Sequence, residues 1–289
     1  MDVTSNPSGR RAAILLVDNG SREPRATLAL RTLAASLAAV LGEPVDPVSL
    51  LHADRVPAAR IGGQPAEILE PAVVGRARAG VDDLLIVPLF FGPSAALSEG
   101  LPGRITALQG RFPRLRVRVA NCLVNPGATT DERMAVILAD HVRSGMAGIN
   151  GRPAVILVDH GSPTPAVGAV RDHLAAQLST LLRSEVRGVL AASMERRPGP
   201  AYAFNEPLLA DAFDRPGFGE GDVIVALQFL LPGRHAGPDG DVARICADAR
   251  QRHPGIRPVV TDLVGSHPGL VAILADRARA ALAAGPLRT

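Results

Sequence analysis

The sequence predicts an α/β protein of two similar doubly wound domains, each built on a four-stranded parallel sheet. Three observations carry this: the length of 289 residues, an internal repeat, and short β-branched apolar runs alternating with longer helical periodicities. A chain this long exceeds one ordinary domain and suits two of about 140 residues, each able to bury a core. The repeat is direct. AAILLVDNGS (12–21) returns as PAVILVDHGS (153–162), and LLIVPLFFGP (84–93) returns as VIVALQFLLP (223–232). A weaker echo pairs Gln64-Pro65 with Glu206-Pro207. The Gly-rich stretch SGMAGINGRP marks the boundary, giving domains at 1–146 and 152–289.

The elements follow in order. In the first half Leu30, Leu33, Leu37 and Leu41 form the apolar stripe of an opening helix after the first strand. In the second half strands are expected near 154–159, 186–192, 222–230 and 256–263. Between the first two, residues 163–182 place Val167, Val170, Leu174, Leu178 and Leu181 at three- and four-residue spacing, so one helix face packs on the sheet. Pro163 and Pro165 suit its first turn.

Composition narrows the function. With 47% hydrophobic and 20% charged residues the chain is globular. Aromatic residues make up 3%, without Trp and with one Tyr, which argues against the stacking surfaces of single-stranded nucleic-acid binders. The net charge of +3 hides a bias: all 31 basic residues are Arg. Without Lys there is no Schiff-base lysine and no Walker-type phosphate loop. Arginine grips carboxylates in a two-pronged fashion, which would suit a polyanionic small ligand. Cys122 and Cys246 lie far apart without zinc spacing, as expected of a reduced compartment. The N-terminal MDVTSNPSGRR has no apolar core, and no run approaches the roughly 18 apolar residues of a membrane span. A cytoplasmic protein, with no membrane and no nucleic-acid partner, is the expectation.

A site is expected beyond the carboxyl ends of the strands, where the strand order reverses. With a 2-1-3-4 order, strands one and three are neighbours and their following loops converge. His160 ends the first strand of the second half, and His235 lies just past the third, in FLLPGRHAGPDGD. The second strand ends at Ser193-Met194-Glu195, which adds a carboxylate. Two neutral imidazoles with one carboxylate suit Co²⁺, Fe²⁺ or Ni²⁺, and imidazole can also take protons near neutral pH. The bland alternative is that each histidine bonds only to its own loop.

ILVDHGSP, NEPLLADAF, LQFLLPGRHAGPDGD and the late VGSHPGL together resemble the sirohydrochlorin chelatases, class II tetrapyrrole chelatases, over nearly the whole chain. The resemblance implies a long tandem-domain form, with two chelatase-like α/β domains facing one another over a cleft. It implies insertion of Fe²⁺, Co²⁺ or a similar divalent ion into sirohydrochlorin on the way to siroheme or cobalamin, with the metal as substrate and no organic cofactor. By the same resemblance His160 and His235 would deliver the metal and accept pyrrole protons, Glu195 would be a further ligand, and Asp241 would either orient His235 or, preferentially, cap the next helix. Sirohydrochlorin is a polycarboxylate, so Ser162, Arg196, Arg197 and Arg234 are expected to hold its rim, joined by Arg22 and Arg25 from SREPRA. A duplicated chain supplies both domains by itself, and a monomer is expected.

The first half departs from the family pattern. It has Asn19 where the family has histidine, and the position aligned with His235 falls at or near Ala96. His52 aligns approximately with Glu195 and is read as a loop histidine without a metal role. The half is therefore a degenerate copy, kept as a lid or carboxylate-holding wall. A non-catalytic metal or tetrapyrrole carrier on the same fold is the alternative. A serine hydrolase is disfavoured because GxSxG is missing and the neighbours Asp159-His160-Gly161-Ser162 cannot form a triad among themselves. GFGEGD (217–222) precedes a strand and is a turn, not a dinucleotide fingerprint.

Overall fold

The computed structural model describes residues 11–127, 130–237 and 239–284. The N-terminal segment MDVTSNPSGR lies outside the described residues. Two compact units emerge: one runs through Leu123 and includes the segment from Val271, and the other is Val124–Leu270.

The first unit contains β1 (Arg11–Asp18), α1 (Pro24–Leu41), β2 (Val45–Ser49), β3 (Glu67–Ile68), α2 (Leu69–Arg78), β4 (Val81–Pro88), α3 (Leu101–Arg111) and β5 (Arg116–Val119). Its sheet is parallel, in the order β3-β2-β1-β4-β5. The 2-1-3-4 order holds with one correction: five strands replace the expected four. The extra strand is β3, two residues long, pairing Val48 with Glu67 and Ser49 with Ile68. Only two alternating positions could carry a periodic signal, too few to be read from sequence.

The second unit contains α4 (Arg133–Gly145), β6 (Ala154–Asp159), α5 (Pro165–Leu181), β7 (Gly188–Ser193), α6 (Leu209–Ala212), β8 (Gly221–Leu227), α7 (Asp241–Arg252) and β9 (Ile256–Val260). Its parallel sheet runs β7-β6-β8-β9, the expected order and count. All six residues of β6 are buried, which explains its unbroken apolar run: a central parallel strand is covered by helices on both faces. Each of Val155, Ile156, Leu157 and Val158, fully buried, contributes about 1.5–3 kcal/mol by leaving water.

The last helix, α8 (Gly269–Ala283), joins the first unit from Val271 onward. The helix that closes the first sequence repeat, α4, packs instead against α5 and β8 of the second unit. The compact units are thus cut differently from the sequence repeats, because a helix is assigned by the sheet its apolar face covers. On α4 that face includes Met134, Ile137, Leu138 and Val142. Among the described residues no helix is long and apolar enough to cross a membrane.

Candidate metal centre

The tips of β6 and β7 are stitched together by their backbones. The Met194 N–H donates to the Asp159 carbonyl at 2.8 Å, and the Glu195 N–H donates to the His160 carbonyl at 3.2 Å. This pairing places Glu195 beside His160. It leaves no room for a side chain at Gly161: φ there is +88°, and a Cβ would stand 1.9 Å from the Glu195 carbonyl oxygen. Only glycine fits such a turn without strain. The loop from β8 to α7 then returns over the same edge. The His235 carbonyl accepts from Val242 N–H at 3.1 Å, which pins the histidine to the start of α7.

His160, Glu195 and His235 each offer one ligand atom, and the three lie within 4.8 Å of one another. The imidazoles meet edge to face, centroids 4.6 Å apart with an interplanar angle of 71°. His160 Nε2 stands 3.7 Å from Glu195 Oε1. His160 Nδ1 lies 3.2 Å from the Gly161 carbonyl, a contact that favours the proton on Nδ1 and frees Nε2 as a ligand. The Asp241 carboxylate plays the corresponding part for His235, with Oδ2 at 2.8 Å from Nδ1. That contact lies off the hydrogen-bond direction, so Nδ1 is near the charge without a well-formed bond. Burial, with the neighbouring His160, pushes the His235 pKa below its ordinary value against the opposing pull of Asp241. The shift favours the neutral imidazole, the form that binds a metal.

A buried polar network lies beneath these ligands. Asp159 Oδ1 accepts from the Gly161 N–H at 3.0 Å and from Ser193 Oγ at 2.6 Å. Ser193 Oγ in turn accepts from Arg171 Nη1 at 2.5 Å. Asn205, fully buried, clamps the turn from the other side: its Oδ1 accepts from Ser162 N–H at 2.9 Å, and its Nδ2 donates to the Ser162 carbonyl at 3.0 Å. Arg171 and Asn205 were not singled out in the sequence, and Ser193 was placed at the strand tip without a role. One signal was available, since the repeat aligns Arg171 with Leu30 on a helix face read as apolar.

The expected rim residues are placed as follows. The Ser162 hydroxyl accepts from the Thr164 N–H at 3.1 Å, starting α5. Arg196 pairs with Glu206 at 2.7 Å and donates to the carbonyls of Arg197 and Gly199, so it braces its own loop. The Arg197 guanidinium sits 5.9 Å from the Tyr202 ring centroid. The Arg234 side chain is 83% exposed, 3.4 Å from Asp241, and is the arginine here most accessible to an anion. Arg22 and Arg25 belong to the first unit; both are exposed, and Arg25 pairs with Glu23 at 2.9 Å. Two expectations are corrected. The N-cap of α7 is Gly240, and Asp241, first residue of the helix, turns its carboxylate to His235, Arg234 and Arg244 instead of capping. The residue equivalent to Glu195 is Leu51, not His52: Leu51 N–H donates to the Asn19 carbonyl as Glu195 does to His160. His52 is exposed, has φ of +68°, and lies outside the ligand cluster.

The first unit repeats this scaffold without the ligands. Gly20 also has φ of +88°, and its Cβ would stand 1.7 Å from the Leu51 carbonyl oxygen. Asn19 and Leu51 occupy the places of His160 and Glu195. The Leu89 N–H bonds to Val17 as Gln228 bonds to Val158, which puts Ala96 level with His235 by residue count. Ala96 opens a helical turn, Ala96–Gly100.

A family model described as CbiX matches residues 13–144 and 154–281. No curated protein matches the sequence. Among solved structures, SirB from Bacillus subtilis with Fe³⁺ superposes with a TM-score of 0.70 at 17% identity, covering 93% of this chain and 94% of that one. The sirohydrochlorin chelatase SirB from Bacillus subtilis subspecies spizizenii, in complex with cobalt, gives a TM-score of 0.67 at 17% identity with the same coverage. CbiX, the terminal enzyme for siroheme biosynthesis in denitrifying bacteria, gives 0.57 at 19% identity, covering 93% of this chain and 99% of that one. These likenesses place the fold among the chelatases.

Proposed function

The chain belongs to the CbiX family, and from that premise we propose that it is a chelatase inserting a divalent ion, Fe²⁺ or Co²⁺, into sirohydrochlorin for siroheme or cobalamin synthesis. The observation that carries the reading is the convergence of His160, Glu195 and His235, one ligand atom each within 4.8 Å, at the carboxyl edge of the second sheet. Insertion of M²⁺ replaces two N–H protons of the macrocycle, so the site must hold a cation and accept protons. Neutral imidazoles do both in turn: the metal leaves a nitrogen as it passes to the macrocycle, and that nitrogen can then take a proton. Glu195, its side chain 63% exposed, supplies a negative charge for the incoming ion. Asp241 would steady the His235 ring through the exchange. Arg234, Arg196 and Arg197, with Arg22 and Arg25 from the first unit, are the cations proposed to meet the substrate's carboxylates.

The test is spectroscopic. The purified full-length protein is mixed with sirohydrochlorin and Co²⁺ or Fe²⁺, and the absorption change is compared with the protein-free rate. An accelerated change that His160→Ala or His235→Ala abolishes supports the chelatase. Tight tetrapyrrole binding with an unchanged rate would support the carrier instead, a reading favoured by the absence of an equivalent ligand cluster from the first unit's described residues.

A further inference from the structure

Among the largest fully buried side chains of the second unit is a cation, and the metal-centre reading leaves it without a task. Arg171, the seventh residue of α5, is 2% exposed. Its guanidinium reaches three separate pieces of chain. Nη1 donates to Ser193 Oγ at the tip of β7 and lies 3.9 Å from Asp159 Oδ1 at the tip of β6. Nη2 donates to the Phe204 carbonyl at 2.8 Å, one residue before the asparagine that clamps Ser162. Nε and Nη2 both donate to Asp172 Oδ1, at 2.9 and 2.7 Å.

Burying a guanidinium is costly, and an apolar residue of similar volume commonly does as well or better for stability. The chain contains that alternative. In the first unit α1 begins with Pro24 as α5 begins with Pro165, and the seventh residue of α1 is Leu30, also 2% exposed. The strand-tip pair is present there too, as buried Asp18 and Ser49. The fold therefore accommodates the aspartate and serine without an arginine. The two units differ in what stands on the tips: Asn19 and Leu51 in the first, His160 and Glu195 in the second. The helix-to-segment tie belongs to the scaffold, since in the first unit half-buried Arg31 donates to the carbonyls of Gln64 and Pro65, but the buried cation at the strand tips accompanies the ligands.

From this we infer that Arg171 is a positioning residue: it locks the β6 and β7 tips and the 200–205 segment into one body, so that the turn bearing His160 and the backbone bearing Glu195 hold a fixed separation. The inference rests on the metal-centre reading for its purpose, and its geometry can be tested apart from it. The first readout is amide hydrogen exchange in the metal-free, full-length protein. Arg171→Leu, which installs the first unit's residue, is expected to speed exchange at Gly161, Ser162 and Glu195 at least tenfold while leaving the strand interiors of β6 and β8 at wild-type rates. The second readout is titration with Co²⁺ alone, followed by its visible absorption. Affinity is expected to fall at least tenfold with an altered spectrum, and Arg171→Lys is expected to recover part of both.

Wild-type local exchange in a folded Arg171→Leu protein would overturn the inference, as would acceleration spread evenly over the whole unit. If the wild-type protein takes up no Co²⁺, the metal-centre reading falls, and the exchange pattern alone still decides whether Arg171 holds the turn. Should Arg171→Leu fail to fold, Ser193→Ala, which removes the hydroxyl between Arg171 and Asp159, decides by the same two readouts.

Discussion

Replacing Gly161 with alanine gives a demanding test of the site's construction, because the first unit supplies its own control. The new Cβ would stand 1.9 Å from the Glu195 carbonyl oxygen, where ordinary contact begins at 3.4 Å. The atom it meets is backbone and the Cβ is fixed to its own Cα, so nothing can swing aside. The left-handed conformation costs an L-residue about 1–2 kcal/mol. Relieving the clash also breaks the Glu195 to His160 backbone bond, worth about 1 kcal/mol. A loss of roughly 3 kcal/mol is expected, which a domain of about 5–15 kcal/mol survives. Gly20→Ala makes the same clash with Leu51 and is expected to lose a similar amount. The two variants should part company in Co²⁺ titration: Gly161→Ala drives His160 and Glu195 apart and weakens binding at least tenfold, whereas Gly20→Ala leaves it at the wild-type value. Urea unfolding and the Co²⁺ visible spectrum measure both effects. Unfolding free energies within about 0.5 kcal/mol of wild type for both variants, or equal weakening of Co²⁺ binding, would refute the reasoning.

Removing the Asp241 carboxylate with Asp241→Asn takes away the charge that raises the His235 pKa and steadies its ring; Co²⁺ affinity measured by calorimetry should fall about 10–100-fold. His235 and His141 are both held below the ordinary histidine value, by burial first and then by His160 and His267 respectively. The unfolded chain therefore binds protons that the folded one refuses, and stability measured by thermal melts should decline as pH falls below about 6.5. His141→Leu should flatten part of that decline. In the first unit Arg118 and Asp83 form a buried pair at 2.8 Å, so Arg118→Met should cost about 3–5 kcal/mol in urea unfolding, much of it regained in the double variant with Asp83→Asn. Burial pushes the thiols of Cys122 and Cys246 up to about 11, so native protein at pH 8 should resist iodoacetamide on the timescale that labels the unfolded chain.

The repeat, the alternation of strand and helix and the histidine pair were all legible in the amino-acid sequence, whereas the 2-1-3-4 strand order was an assumption that the sheets bear out. Each rests on a pattern local to one segment or on one segment's likeness to another. Burial of β6 on both faces forces a continuous apolar run, and a loop that must turn at positive φ forces Gly20 and Gly161. What tertiary structure alone decided depends on partners distant in sequence. The two-residue β3 exists only because Val48 and Ser49 offer it an edge. Leu51, not His52, proved equivalent to Glu195, because equivalence there is set by the bond to the preceding strand's tip and not by residue type. Asp241 serves His235 instead of a helix cap because the β8 to α7 loop folds its histidine back onto the helix start. The role of Arg171 is set by strand tips 12 and 22 residues away, which meet it only in the folded unit. Local periodicity determines which elements form and which faces they bury, whereas a ligand set held within 4.8 Å is a property of loops that meet only once the sheet has assembled.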